Sequence, residues 1–104
     1  MTTEIDEVIH QPLRLKVMAA LAALPEGEMI PFVRLKNLTG ATDGNLSHQL
    51  KVLADAGHVA IVKDFHRNRP RTRVRLTSRG RRAFADYVDN LKALLEGADG
   101  ANGS

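Results

Sequence analysis

The sequence predicts a mainly α-helical domain with a small β-hairpin, which places the chain in the α+β class. Apolar residues recur at helical spacing along most of the chain, as they do on helices that pack against a core. Only two segments, 59–62 and 73–77, alternate with a period of two, which is typical of strands. The 104 residues, of which 43% are apolar, suffice for one small core. We therefore expect a single folded domain at 1–96 and a disordered tail at 97–104.

Two helices and a short extended segment are predicted in the first half of the chain. The run Leu13–Leu24 is rich in Ala and Leu, which favour helix, and its apolar residues fall on one face. Pro25-Glu26-Gly27 signals a turn, and a short extended segment follows at 28–30. Pro31 suits the first position of a second helix. The predicted apolar face of that helix consists of Phe32, Leu35 and Leu38.

A third helix follows the second after a short turn that contains glycine. Thr42 is a favourable N-cap, and Asp43 in the first turn interacts well with the helix dipole. A buried stripe is predicted at Leu46, Leu50 and Leu53. Helix, short turn and helix together predict a helix-turn-helix at about 31–56.

A hairpin and a last helix are predicted in the second half. Two alternating segments enclose the polar segment 64–71, so we expect a hairpin at about 58–77 with a long, basic loop at its tip. Thr77 and Ser78 are suitable caps for a helix at 79–96.

Positive charge is concentrated in the segment 57–82. It contains nine Lys and Arg residues and one acidic residue, for a net charge of +8, whereas the whole chain carries +3. A concentrated basic patch beside a helix with a polar outer face indicates nucleic-acid binding.

The polar face of the third helix supplies the candidate base-reading residues. On a helical wheel, Asn45, His48 and Lys51 point away from the buried stripe, and Ser47 and Gln49 lie on its flanks. Asn and Gln pair with adenine, and Ser and His bond base edges or phosphates. The alternative is a solvated helix face with no partner.

Arginines of the hairpin supply the candidate backbone contacts. Arg67, Arg69 and Arg71 lie on the predicted loop and suit phosphates or a narrow minor groove. Arg73 and Arg75 alternate with Val74 and Leu76, so they are expected on the exposed face of a strand. Pairing with carboxylates of the chain is the alternative for these arginines.

Several other classes of function lack a supporting pattern. The absence of cysteine excludes disulfides and thiolate zinc sites, and the four histidines have no metal-ligand spacing. No nucleophile–base pair or glycine-rich phosphate loop is visible, so we expect no enzymatic activity, catalytic residue, metal or cofactor. No apolar run approaches the ~18 residues of a membrane span, and the acidic N-terminus is unlike a signal peptide. We expect a cytoplasmic protein.

Sequence motifs from the third helix onward resemble a known group. TDGNLSHQLKVLADAGHV, followed by K-x-F and PRTRVRLTSRGRRAF, resembles the small stand-alone winged-helix transcriptional regulators of bacteria and archaea, in the MarR/ArsR-like superfamily. The resemblance covers about Ile9–Leu95. D-G-N-L-S, L-x-x-L-x-x-A-G, P-R-T and L-T-x-x-G-R are specific in combination, although each alone is weak.

This resemblance implies a winged helix-turn-helix that binds double-stranded operator DNA as a homodimer. It implies a recognition helix at Thr42–Asp55 and a wing at 64–71. Relatives often have histidine where this chain has Gln49, so their base preference does not carry over. A small-molecule effector is possible in this superfamily, but no residue cluster here names one. The implied DNA contacts are Thr42, Asp43, Asn45, Ser47 and His48 in the major groove, and Arg67, Arg69 and Arg71 in the wing.

The last helix and the N-terminal segment predict the dimer surface, because they offer more apolar side chains than a terminal helix needs for packing within one protomer. The alternative is that these side chains complete the protomer core. The candidates are Ile5, Val8, Ile9, Phe84, Tyr87, Val88, Leu91, Leu94 and Leu95.

Two other binding functions fit the same residues. One is sequence-independent, architectural DNA binding, in which the basic hairpin suffices and the third helix only packs. The other is a winged helix that binds an acidic protein through its arginines. Strong salt dependence favours nucleic acid, because each neutralised phosphate contributes about 0.9 to the logarithmic salt slope.

Overall fold

Four helices and one three-stranded sheet make up the structure, a computed structural model that describes residues 4–103, with side chains described for 4–97. The predicted α+β class is confirmed. The sheet is antiparallel with strand order β1-β3-β2. The helices are α1 (Pro12–Ala22), α2 (Phe32–Thr39), α3 (Asp43–Asp55) and α4 (Ser78–Gly103), and the strands are β1 (Met29–Pro31), β2 (Val59–His66) and β3 (Arg69–Leu76).

The core lies where α1, α2 and α3 cover the inner face of the sheet. Gln11 caps α1 by accepting a hydrogen bond from the Arg14 N–H at 2.7 Å, and Pro12 occupies the first turn, where its missing N–H costs nothing. The predicted stripe of α3 is buried as expected. Fully buried side chains come from every layer: Ile9, Val17, Met18, Leu21, Leu35, Leu46, Leu50, Leu53 and Val74.

The predicted apolar face of α2 was wrong at one position. Leu38 is 59% exposed, whereas Leu35 and Thr39 are buried. Leu38 is one residue, about 100°, away from Thr39 around the helix, so both cannot face the core. The Thr39 hydroxyl donates to the Leu35 carbonyl at 2.9 Å, which removes the cost of burying it.

The turn between α2 and α3 is built from local contacts. Gly40 has φ of 71°, a left-handed conformation that ends helices and suits glycine. The Thr42 hydroxyl accepts a hydrogen bond from the Asn45 N–H at 3.2 Å, as an N-cap does. Lys36 and Asp43 form an ion pair of 2.8 Å across the turn. These contacts fix where the first turn of α3 emerges.

The long basic loop predicted at 64–71 was wrong, because the strands continue almost to the tip. His66 is paired with Arg69, which leaves a two-residue loop of Arg67 and Asn68. Their φ values of 53° and 63° are those that a type I′ hairpin turn requires.

Pro70 fits inside β3 for a topological reason. The pair that flanks a two-residue loop is hydrogen-bonded, so the next pair, Phe65 with Pro70, is not. On its other side β3 is paired with β1 only from Arg73 onward. A missing N–H at Pro70 therefore costs no ladder hydrogen bond.

Helix α4 starts where predicted and continues past the predicted end at residue 96. Its first turn is capped by the Thr77 hydroxyl, which accepts from the Gly80 N–H at 2.9 Å. The predicted disordered tail at 97–104 is helical as far as Gly103, while Ser104 lies outside the described residues. Once a helix is nucleated, each added residue gains one hydrogen bond, which favours extension. Within 4–103, no helix is long and apolar enough to cross a membrane.

The start of α4 is pressed against the start of β2. An added Cβ at Gly80 would lie 1.9 Å from the His58 carbonyl oxygen, so only glycine permits this approach. The Thr77 N–H donates to the same oxygen at 3.1 Å, and the Thr77 hydroxyl donates to the Gly57 carbonyl at 2.6 Å. This contact joins the end of α3, the hairpin and α4.

Replacing Gly80 with alanine is expected to lower the free energy of unfolding by about 2 kcal/mol or more, because the methyl group overlaps a backbone oxygen that cannot move alone. Urea denaturation of both proteins measures the change. Gly97→Ala is the matched control on the same helix, since nothing lies within 4 Å of its added Cβ. The control is expected to be neutral or to stabilise by up to about 1 kcal/mol. Equal stability of the two variants would contradict the packing assigned to Gly80.

Candidate nucleic-acid interface

The outward face of α3 is polar and open to solvent. The three leucines of the stripe are at most 2% exposed, which fixes the rotation of the helix about its axis. The opposite side of its first three turns is therefore presented to solvent. Its exposed residues are Thr42, Asp43, Gly44, Asn45, Ser47, His48 and Lys51.

Gln49 lies on the inner side of α3 rather than on its outward polar face. It is 9% exposed, and its Oε1 accepts a hydrogen bond from an Arg14 terminal nitrogen at 2.6 Å. The Arg14 Nε donates to the Val8 carbonyl, so one guanidinium connects the N-terminal segment, α1 and α3. A bidentate pair with adenine needs the amide oxygen that Arg14 occupies. We therefore remove Gln49 from the base-reading set and assign it a bracing role.

The inner face of the sheet continues outward as one wall of a cleft beside α3. Because side chains alternate along a strand, Ile61, Lys63 and Phe65 share this face with their cross-strand neighbours. The cleft has a volume of about 390 Å³. It brings α3 and the hairpin together, since it is lined by Phe32, Ser47, Leu50, Lys51, Ile61, Lys63 and Thr72. Ser47 and Lys51 of the helix thus face the same opening as Lys63 of the hairpin.

Asp64 holds two of the candidate arginines on the other face of the hairpin. Its carboxylate accepts from Arg71 at 2.6 and 3.2 Å and from Arg73 at 3.0 Å. The hydrogen bond from Arg71, aided by the charges of both arginines, lowers the pKa of Asp64 from its ordinary value of 3.8. Because the pKa of Asp64 is lowered in the folded protein, its ionised carboxylate stabilises the fold at pH values above the ordinary carboxyl pKa. This stabilisation is lost only as the pH falls through the lowered pKa. The ion pairs therefore persist at neutral pH.

The arginines of the hairpin thus fall into two groups. Arg67 in the turn and Arg69 beside it are exposed, and among the described residues neither forms an ion pair. Arg71 and Arg73 are 37% and 28% exposed and share one carboxylate. The wing tip is consequently its most accessible source of positive charge.

The predicted dimer surface is divided between core and solvent. Ile9 is fully buried and Tyr87 is 2% exposed, with the Tyr87 hydroxyl 2.8 Å from Nδ1 of His10. We remove both from the dimer surface, because packing within the protomer already covers them. Ile5, Val8, Phe84, Val88 and Leu91 are half-buried against the core.

Within the predicted dimer surface, only the distal part of α4 has large apolar side chains that are openly exposed. Leu94 and Leu95 are 49% and 59% exposed. From Lys92 to Gly97, the last residue whose side chain is described, every side chain is exposed. The helix projects from the body, so that the molecule measures 63 × 25 × 21 Å.

Comparison with known proteins identifies the family to which this fold belongs. Residues 13–95 match a family model for a winged helix DNA-binding domain. The chain belongs to this family. DNA is therefore its partner, and the β2–β3 hairpin is the wing of the winged-helix fold.

Similar proteins agree with this assignment. The chain is 35% identical over 88 residues to an uncharacterized protein of Methanocaldococcus jannaschii, covering 85% of this chain and 92% of that protein. A transcriptional regulator homologue from Pyrococcus horikoshii OT3 is similar in structure, with a TM-score of 0.80, 30% identity and 90% coverage of each chain. A MarR-family regulator from Porphyromonas gingivalis W83 shares the fold, with a TM-score of 0.66, 19% identity and coverage of 86% and 84%. The protein is a small winged-helix DNA-binding regulator.

Asp64→Asn is expected to strengthen binding to random-sequence duplex DNA at low salt, because Arg71 and Arg73 become available to phosphates. The slope of log affinity against log salt should steepen by about 0.9 for each arginine that gains a phosphate. Fluorescence anisotropy across a salt series measures both quantities.

Asp89→Asn is the matched control for this prediction, because it makes the same change of net charge at an exposed position on α4. It is expected to leave the salt slope unchanged. If the two variants gain affinity equally, net charge explains the effect and the Asp64 pairing has no role in it.

Proposed function

We propose that the protein is a sequence-specific transcriptional regulator that binds its operator as a homodimer. In this proposal α3 enters the major groove while the wing contacts phosphates and the adjacent minor groove. The observation that supports it is the shared opening between α3 and the wing, where Ser47 and Lys51 face Lys63. A single duplex can then contact both elements at once.

The exposed residues of α3 have complementary roles in this proposal. The first half of a recognition helix contacts base edges, so Asn45 and His48 are assigned to base readout. Ser47 and Lys51 face the wing and are assigned to phosphates between the two grooves. Thr42 has its hydroxyl proton available for a phosphate, because its oxygen serves as acceptor in the cap.

Charge supports a graded set of further contacts. Arg67 and Arg69 at the wing tip are assigned to the phosphates that border the adjacent minor groove. Arg71 and Arg73 are assigned as secondary phosphate contacts, because each also forms an ion pair with Asp64. Asp43 repels phosphate, and its pair with Lys36 offsets that charge; its assigned role is to accept from a cytosine amine.

The projecting end of α4 supports the proposed dimer. A single helix that packs on nothing is marginal in water, so its exposed leucines favour a partner. Leu91, Leu94 and Leu95 lie on one side of the helix, and Val88 and Phe84 continue that side at coiled-coil spacing. Pairing two protomers along this side would present two recognition helices to half-sites about 34–36 Å apart. Ile5 and Val8 would lie at the edge of this surface.

The first test is selection of duplexes from a random pool by the full-length protein, followed by affinity for the selected and a scrambled duplex. A specific regulator is expected to prefer the selected duplex by about 10³-fold or more. Asn45→Ala and His48→Ala should each reduce affinity for the selected duplex by about 1–3 kcal/mol, with little change on the scrambled one.

Arg67→Ala and Arg69→Ala are the comparison variants in that test. They should weaken binding to both duplexes alike and reduce the salt slope by about 0.9 each, as phosphate contacts do. Equal, strongly salt-dependent binding of the wild type to both duplexes would reject sequence specificity and favour architectural binding.

Leu95→Asp is expected to convert dimers to monomers, because it places an unpaired charge within the apolar contact. Analytical ultracentrifugation measures the mass, and the variant should bind an isolated half-site as the wild type does. Ala93→Asp is the control, since it adds the same charge on the opposite side of α4 at an exposed position. A dimeric Leu95→Asp protein would overturn the proposed interface.

A further inference from the structure

One aromatic side chain of the wing has no role in the fold. Phe65 is 74% exposed, more than any other large apolar side chain among those described. Its cross-strand neighbour Pro70 is exposed as well. The pair lies one position before the residues that flank the turn, at the far end of the hairpin from the core.

Phe65 and Pro70 lie on the side of the hairpin that forms the cleft beside α3. Phe65 shares its sheet face with Lys63 and Ile61, which line the cleft beside α3. Asp64, Arg71 and Arg73 occupy the opposite face. A duplex held by α3 would therefore meet Phe65 and Pro70 first, whereas Arg71 and Arg73 on the opposite face would reach only its flanking phosphates.

The hairpin is stiff enough to press an apolar group into a partner. Strand pairing continues to His66 and Arg69, so the turn contains only two residues. On the reverse face Asp64 ties Arg71 and Arg73 of β3 to β2 by three hydrogen bonds. A flexible loop would fold away from a resisting surface, whereas this tip keeps Phe65 in place.

The size of the patch argues against a protein partner. An aromatic side chain buries about 150–250 Å², whereas a specific protein interface buries about 1,200–2,000 Å². Phe65 and Pro70 match the dimensions of one base step instead. Lys63, Arg67 and Arg69 are close to them in the hairpin, and the nearby carboxylate of Asp64 is already paired. An apolar tip within a cationic rim is complementary to bases lined by phosphates.

We propose that Phe65, backed by Pro70, is a wedge that enters the minor groove and partly separates one base step, so that the duplex kinks beneath the wing. The proposal rests on the placement of the wing in the minor groove under the proposed function. Apolar wedges of this kind kink DNA by about 20–90° toward the major groove. Phe65 thereby selects for deformability, and a flexible TA or CA step is expected beneath each wing.

The test measures duplex bending and base unstacking with the full-length protein at saturating concentration and low salt. The probe is the selected duplex or, if selection enriches none, a random-sequence duplex. Energy transfer between dyes at the two ends reports the bend, and 2-aminopurine placed at successive steps reports unstacking. The wild type should bend the duplex and raise 2-aminopurine fluorescence at one step per wing.

Variants of the exposed side chains separate the wedge from general binding. Phe65→Ala should abolish the fluorescence rise and remove half or more of the bend, which for such wedges is about 20–90°. Phe65→Leu, which keeps an apolar wedge, should retain part of both. Val33→Ala removes an apolar side chain that is 65% exposed on α2, and it should behave as the wild type.

Either of two results would overturn the wedge: no unstacking by the wild type at any step, or an unchanged bend with Phe65→Ala. Neither result depends on sequence preference. Failure of the proposed specificity would instead appear as a selection that enriches no duplex, and bending of the random-sequence duplex would still decide the role of Phe65.

Discussion

The contact between the first turn of α4 and the His58 carbonyl fixes the relative positions of α3, the wing and α4. Gly80 allows the approach, and Thr77 adds hydrogen bonds from its N–H and its hydroxyl. Helix α3 ends three residues before His58, and the wing begins directly after it. One crowded backbone contact therefore sets the angle of α4 relative to both α3 and the wing. In a dimer formed through α4, the same angle would determine how far apart two recognition helices stand.

Fewer cations of the wing are available to a partner than its total charge indicates. Asp64 is the one acidic residue in 57–82, and it pairs with two arginines on the face away from α3. Arg81 is also occupied, because its guanidinium lies 3.4 and 3.3 Å from the Ala22 and Leu24 carbonyls at the end of α1. Within the wing, the accessible cations are therefore Arg67 and Arg69 at the tip and Lys63 beside the cleft.

Periodicity located the elements well, since it reflects burial along a single helix or strand. The stripe of α3, its Thr42 cap and the glycine-containing turn were all visible in the residues. The predictions were wrong where the burial or the partner of a side chain depends on another element of the structure. Gln49 was placed on the reading side because nothing in its own helix reveals that Arg14 reaches it from α1. Ile9 and Tyr87 were placed on a surface because nothing in their own segments reveals that the N-terminal segment and α4 pack together, as the 2.8 Å contact between His10 Nδ1 and the Tyr87 hydroxyl shows.

By itself, the sequence determined the fold class, the helix-turn-helix and the basic hairpin, because hydrophobic spacing, caps and charge are local properties. Only the tertiary structure decided which polar groups remain available. Strand pairing shortened the predicted basic loop to Arg67 and Asn68, turned Arg71 and Arg73 toward Asp64, and left Phe65 exposed beside the cleft. The physical reason is that register and packing choose partners for a side chain from residues distant in sequence, and no periodicity within one segment records that choice.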